Sequence, residues 1–417
     1  MVNLNFGGSL SKNRDFMRLW LSDTVSQFGN TFSQFAIPVL ARLTFHANAF
    51  ELGLLATLGF LPYPTLGLFV GVWADRFRRQ RIMVICNFGR MLTLSSIPVT
   101  FLSGHLTLLQ LFIVSLINGI FSVFFDVSYQ SYLPVLVHRK DLVEGNQKLQ
   151  ISASAAQVAG PGIAGVVYQL IGGAMTIAID ALGYFTSAIA LISIKKTEQK
   201  KVQDANAKPN FFREMREGIH IVVSNPILRT IAGSTATSNF GSNIWGAVFV
   251  IFALEYLNNS TVALGLVGTI GAVGFVIGVL ISGRLTSRLG VGMSLAVAIS
   301  AGFVALANPL AQYGYSFAIL SLVSFITGVM TPMYNINAVS LRQAITPNRL
   351  QGRMNATTRT IVWGTIPIGS FVGGILGVTI GIVNTMYLGA FVGGLAVFWI
   401  LLGPVRKVKT FPASAEE

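Results

Sequence analysis

The sequence predicts an all-α membrane protein in which twelve transmembrane helices form two pseudo-symmetric six-helix bundles. Three observations point there. Apolar runs long enough to cross a bilayer recur from end to end, the two halves of the chain repeat one another, and the basic residues collect in alternate connections between the runs.

Of 417 residues, 53% are hydrophobic and 11% charged, with mean hydropathy +0.66. Soluble domains carry about 25% charged residues, so most of this surface is suited to lipid. The runs lie at about 16–42, 49–74, 82–102, 106–132, 147–172, 174–194, 228–256, 262–282, 292–311, 315–339, 357–382 and 385–403. Each is near the ~20 residues that a helix needs to cross a ~30 Å hydrocarbon core.

The repeat is explicit. Ser26-Gln27-Phe28-Gly29 returns 212 positions later as Ser238-Asn239-Phe240-Gly241. Gly71-x-x-x-Asp75-Arg76-Phe77 returns at the same offset as Gly283-x-x-x-Ser287-Arg288-Leu289. At an offset of 209, Ile117, Gly119 and Ser131 meet Ile326, Gly328 and Ser340, while Asn118, Ser122, Phe125 and Asp126 meet Thr327, Thr331, Tyr334 and Asn335. The expected division is an N-terminal bundle over 1–194, a cytoplasmic linker over 195–227 and a C-terminal bundle over 228–417. Duplicated hydrophobic halves around a shared cavity are how secondary transporters achieve alternating access, so solute movement is implied.

Orientation follows from Lys and Arg, which are enriched in cytoplasmic loops. Assigned to alternate connections and both tails, 27 of the 29 fall on one side, the exceptions being Arg42 and Arg90. This count places the four basic residues from Arg342 to Arg359 in the 10–11 loop. Both termini are then cytoplasmic. The net charge of +14 and pI of about 10.2 mark that face and its anionic headgroups, and no nucleic-acid partner is expected. Lys12, Arg14 and Arg18 could imitate the start of a secretory signal, but the apolar run after them is too long. The lone Cys86 excludes an internal disulfide or a cysteine metal cluster, so no metal and no cofactor is expected. The tandem sequons at Asn258 and Asn259 lie in a short outer loop. In the linker, Phe211 to Ile219 reads as an amphipathic surface helix that tethers the halves while letting them rock.

Polar residues mark the inner faces. Asp23, Gln27, Asn30 and Gln34 share one face of the first span, and Thr235, Asn239, Ser242 and Gly246 repeat that stripe in the seventh. Asn118, Ser122 and Asp126 form a third stripe, matched by Thr327, Thr331 and Asn335 in the tenth. A polar group facing lipid costs several kcal/mol. These faces therefore line a central cavity or bond helix to helix as glue; duplication favours the cavity. Gly369, Gly373, Gly377 and Gly381, like Gly274 and Gly278, let helix backbones approach closely.

Charge within the spans concentrates in the first half, at Asp23, Arg90, Asp126 and Asp180. Such residues are costly and are functional or paired. Arg90 and Asp126 lie at similar depth on neighbouring spans, where an ion pair is plausible, though Asp126 could instead reach the basic 2–3 loop. Asp180 has no evident basic partner; it either bonds Thr176 or Tyr184 or carries a proton. Glu255 sits at the outer end of the seventh span as a boundary residue.

The 2–3 loop resembles the signature of the major facilitator superfamily of secondary transporters: Gly71, Asp75, Arg76 and Arg81 match, while Arg78 and Gln80 depart from it. The resemblance implies that Asp75 latches the second span to the eleventh, and that the arginines pair with an acid near the inner end of the fourth, for which Asp126 is the candidate. In the fifth span, Ala156-x-x-x-Gly160-Pro161-x-x-Ala164-Gly165 resembles the family's antiporter signature. Physically, Pro161 bends that helix and the small residues pack tightly. Residues 124–134, 179–185 and 342–353 are similar to the macrolide-efflux and enterobactin-exporter branch. That likeness implies export of an amphipathic drug, antibiotic, siderophore or metabolite across a bacterial plasma membrane by proton antiport; a monomer is expected.

The thirty Phe residues and few buried charges suit a bulky, largely apolar small molecule. Import of a small nutrient is the alternative within transporters, opposed by the antiporter-like fifth span. An intramembrane enzyme would need paired carboxylates, a metal motif or a Ser/His dyad, and His46, His105, His138 and His220 lie far apart at loops or interfacial ends. A channel or sensor would have no need of alternation.

Overall fold

The computed structural model describes residues 10, 13–74, 77–138, 141–195 and 211–411. Their regular structure is helical throughout: α1 Arg14–Phe45, α2 Ala49–Phe60, α3 Pro62–Ala74, α4 Arg79–Leu102, α5 Leu108–Leu136, α6 Leu142–Ile171, α7 Gly173–Ile192, α8 Phe211–Ser224, α9 Pro226–Ile251, α10 Thr261–Leu289, α11 Val291–Ile299, α12 Ala301–Val304, α13 Ser316–Ala344, α14 Asn348–Thr379, α15 Ile382–Gly394 and α16 Ala396–Leu402. Among the described residues, 10 stretches are long and apolar enough to cross a membrane. α1 and α6, at 32 and 30 residues, are not among them, because the polar residues on their faces offset their apolar ones.

Local chemistry sets several boundaries. Asn13 caps α1 by accepting from the amides of Asp15 and Phe16, both at 3.1 Å. Asn225, again 212 positions on, caps α9 by accepting from Ile227 and Leu228 at 2.9 and 3.2 Å, with Pro226 at the first helical position. The expected second span divides at Leu61, because Pro62 and Pro64 cannot donate into a continuous ladder. The ninth likewise tightens into a 3₁₀ turn over Ala305–Tyr313, which contains Pro309.

The chain forms two compact units: Met1–His46 with Leu61–Val202, and Ala47–Phe60 with Gln203–Glu417. This departs from a division in chain order, since α2 belongs with the second unit. In the first, α1 packs on α6 and α7, α4 on α5 and α7, and α3 on α5. In the second, α9 packs on α14 and α15, α10 on α13, and α2 and α8 on α14. α8 is anchored on α14 and α9 of the second unit. Glu217 pairs with Arg353 at 2.7 Å, and Val222 is buried with Leu228, Ala232 and Met354.

Glycines set these distances. A Cβ at Gly274 or Gly278 would stand 2.4 or 2.1 Å from a carbonyl of α13, and one at Gly369 or Gly373 would stand 2.6 or 2.3 Å from a carbonyl of α9. Gly53 meets Gly374 in the same way, which is why α2 sits on α14. Gly381 is different: it lies in the break before α15 with φ 86°.

A Cβ at Gly241 would stand 2.2–2.6 Å from backbone atoms of Gly393 and Gly389, whereas one at Gly246 on the same helix would have nothing within 4 Å. Gly241→Leu should therefore lower stability by about 1–3 kcal/mol or prevent folding. Gly246→Ala should leave it unchanged or slightly raised. Thermal unfolding of the two variants in detergent checks this contrast.

Candidate functional site

The intramembrane charges of the first unit converge where α1, α4, α5 and α7 meet. The floor is a hydroxyl and amide knot. Ser187 of α7 bonds Ser22 at 2.6 Å and Ser26 at 2.8 Å on α1, and accepts from Asn87 of α4 at 2.7 Å. One turn from Asn87, Arg90 is 5% exposed. Its guanidinium carbon lies 4.3 Å from the Phe125 ring centroid and 4.5 Å from that of Tyr184. A desolvated cation between two aromatic faces gains about 2 kcal/mol or more. Its Nε and Nη2 are buried without hydrogen-bond partners.

The expected ion pair between Arg90 and Asp126 is not formed among the described residues. Asp126, half-buried on α5, accepts a 2.8 Å hydrogen bond from the Tyr63 hydroxyl of α3. The ring that holds Arg90, Phe125, is the immediate sequence neighbour of Asp126. At 100° per residue the two side chains take different faces of α5.

Asp180 is fully buried. A Cβ at Gly29 would stand 2.4 Å from its Oδ1, so the glycine of the repeated Ser26–Gly29 element leaves room for this carboxyl. Neither Thr176 nor Tyr184 bonds it: Thr176 donates to the Gly172 carbonyl at 2.9 Å, and the Tyr184 hydroxyl is without a partner. The Ser33 hydroxyl is a polar neighbour but makes no well-formed hydrogen bond to either oxygen. Asp23, 3% exposed, has Tyr129 and Gln27 as polar neighbours, and its Oδ2 lacks a partner.

The other predicted residues fall as follows. Along α1 the stripe opens progressively, with Asp23 buried, Gln27 and Asn30 half-buried and Gln34 exposed. On α5, Asn118 and Ser122 are half-buried, and Asn118 Oδ1 has no partner. In the second unit Thr235 bonds the Tyr334 hydroxyl at 2.8 Å, at the repeat positions of Asp23 and Phe125. Asn239 donates to the Val362 carbonyl at 3.2 Å, tying α9 to α14. Ser242, Thr327 and Thr331 instead satisfy their hydroxyls on carbonyls of their own helices. Thr331 and Asn335 are exposed on their unit. Gly160 of α6 packs on Thr31 of α1, next to Pro161 and the buried Ala164 and Gly165. Gly71 lies in α3, Arg81 is exposed at the start of α4, and Asp75 and Arg76 fall outside the described residues.

Sequence reasoning missed Ser22, Asn87, Tyr129 and Ser187, and took Tyr184 only as a possible hydrogen-bond partner of Asp180. The spacing of 180, 184 and 187, and of 87 and 90, puts them on shared helix faces, which was the available signal. It also assigned Arg359 to a loop. That residue lies inside α14, within the membrane-crossing stretch Leu350–Thr379.

Known proteins share both sequence and fold with this chain. The model of the Major Facilitator Superfamily matches residues 19–306 and 231–417. Macrolide efflux protein A of Streptococcus pyogenes is 26% identical over 407 residues, covering 94% of this chain and 97% of that protein. The enterobactin exporter EntS of Salmonella choleraesuis is 23% identical over 384 residues, covering 90% and 89%. A bacterial homologue of the iron transporter ferroportin, solved in an inward-facing state, superposes with a TM-score of 0.75 at 17% identity, covering 93% of this chain and 98% of that one. The chain belongs to the Major Facilitator Superfamily, as a multi-pass membrane transporter of small molecules and not an enzyme.

Proposed function

We propose that this protein is a secondary active exporter of an amphipathic drug, antibiotic, siderophore or metabolite, working by alternating access in exchange for protons. Twelve spans in two pseudo-symmetric six-helix bundles would enclose the path, with the 195–227 linker and both termini on the cytoplasmic side. The protein would act as a monomer in a bacterial plasma membrane. The efflux proteins among its relatives favour export over import of a nutrient.

The observation that carries the reading is Asp180. A buried carboxyl against Gly29, with neither oxygen bonded and a ring-held Arg90 nearby, has no structural duty that fixes its proton. Such a group can load and release a proton as its surroundings change, and stabilisation by pairing is not its purpose. Asp126 and Asp23, on the adjoining helices, are the further coupling acids. Gln27, Asn30, Gln34, Asn118 and Ser122 would line the substrate path with Asn239, Ser242, Thr327, Thr331 and Asn335. Gly160, Pro161, Ala164 and Gly165 would seal α6 on α1 against proton leak. Gly71, Asp75, Arg76 and Arg81 would serve the gate.

Everted vesicles with an acidified lumen test this. Adding a transported fluorescent drug should dissipate the proton gradient in step with drug uptake, and an uncoupler should stop both. Uptake indifferent to the uncoupler would remove the proton from the mechanism.

Asp180→Asn should reduce coupled flux to the background of vesicles lacking the protein, and Asp126→Asn should lower it. Wild-type pumping by both variants would show that neither acid carries the proton.

A further inference from the structure

The tail that follows α16 is bound to the second unit. Val405 is fully buried, and Gly292 makes room for its carbonyl, since a Cβ there would stand 2.1 Å from that oxygen. The amides of Val291 and Gly292, in the first turn of α11, donate to the carbonyls of Lys409 and Val408 at 3.1 and 2.8 Å. Backbone bonds therefore fix where Lys409 stands, and its side chain is not spent on the docking.

Docked in this way, the tail closes one side of a cavity of about 340 Å³ whose other walls are the C-terminal ends of α10 and α13. Asn337, 2% exposed, bonds Thr286 at 2.9 Å and the Met333 carbonyl at 2.8 Å, which ties the two helices together. Ser282 and Ser287 donate to carbonyls of their own helix. Three donors on the lining are left. Among the described residues the hydroxyls of Ser340 and Thr410 make no hydrogen bond, and no carboxylate pairs with the Lys409 ammonium. Ile336 and Phe411 add an apolar lip.

The positive charge here has no counterpart in the surrounding sequence. From Tyr256 to Ala415 the chain carries nine basic residues and no acidic one. Arg353 takes its carboxylate from α8, at Glu217. Arg284, Arg288, Arg406 and Lys407, all exposed, flank the lining residues along the chain. The repeat adds a change of sign. Gly283 and Ser287 stand where Gly71 and Asp75 stand in the first copy, so the second copy has a hydroxyl in place of the acid. With Lys409 added from the tail, the lining suits an anion. An ammonium and two hydroxyls reaching in from separate elements match the tetrahedrally spread oxygens of a phosphate better than the two coplanar oxygens of a carboxylate.

We infer that this cavity binds a phosphate group, with Lys409 as its counter-charge and Ser340 and Thr410 as its hydrogen-bond donors. The site goes beyond the exporter reading and does not depend on it. A phosphate held by Lys409 and Ser340 joins the tail to α13 and so fastens the tail to its unit. Its source is either a soluble phosphate or a lipid headgroup whose chains leave past Ile336 and Phe411.

The test uses the full-length protein in dodecyl maltoside micelles, which carry no phosphate, and follows hydrogen exchange at the tail-bonded amides of Val291 and Gly292 by mass spectrometry. A probe at about ten times its Kd should slow that exchange about tenfold, as ligand linkage requires. One arm adds inorganic phosphate, with chloride and acetate at equal ionic strength as controls. The other adds phosphatidylglycerol, with monoolein as the phosphate-free lipid. Protection by inorganic phosphate assigns the site to soluble phosphates, and protection by phosphatidylglycerol alone assigns it to a headgroup. Lys409→Gln should abolish the protection and Ser340→Ala should weaken it. Arg406→Gln, which removes a charge outside the cavity, should leave it intact. Protection by neither probe overturns the proposal, as does equal protection by acetate or monoolein. So does protection that survives Lys409→Gln, or that Arg406→Gln removes equally, which would mark a diffuse field. Faster exchange without any probe on combining Glu416→Gln with Glu417→Gln would give the cavity to the chain's own carboxylates, and also overturns it.

Discussion

Water is absent from the hydrocarbon core, so a polar side chain on a spanning helix has only protein to answer it. The first unit meets that constraint unevenly. Ser22, Ser26, Asn87 and Ser187 satisfy one another in a knot joining three helices, and Arg90 is held by two aromatic faces. Both oxygens of Asp180 and one of Asp23 are among the groups left without a hydrogen bond, as are Nε and Nη2 of Arg90 and the Tyr184 hydroxyl. Each unanswered buried group costs about 1–3 kcal/mol. Residues kept at that cost mark the place where a transporter can couple a moving proton to a moving helix.

Glycine makes the arrangement possible and also distinguishes the units. Gly29 and Gly241 occupy the same place in the repeated element, but Gly29 faces a carboxyl and Gly241 faces the backbone of α15. The same substitution of packing for charge appears where Thr235 and Tyr334 share a hydroxyl hydrogen bond at the repeat positions of Asp23 and Phe125. The first unit therefore holds the three aspartates Asp23, Asp126 and Asp180. The other holds tighter glycine contacts and, on α14, an arginine stacked on Trp363.

Much of this was legible in the sequence, because the repeat at 212 residues and the apolar runs report backbone-level facts. The close approach at Gly274, Gly278, Gly369 and Gly373 followed from their four-residue spacing. The sequence left open whether Arg90 and Asp126 pair, because depth along two helices does not specify which faces they turn. α2 was assigned by chain order, whereas its partner is chosen by the Gly53–Gly374 contact, a small-residue match with no signal in hydropathy. Arg359 was lost to a loop because a basic residue near a span end reads as a boundary until the helix is seen to continue through it.

The central claim is that Asp180 takes up and releases a proton within its packed site. Difference infrared spectroscopy of the reconstituted protein, stepped in pH across the physiological range, observes this directly, since only a protonated acid shows the carboxylic C=O stretch. The account predicts a titrating band that is missing from Asp180→Asn and retained in Asp126→Asn. An identical band in wild type and Asp180→Asn would contradict it.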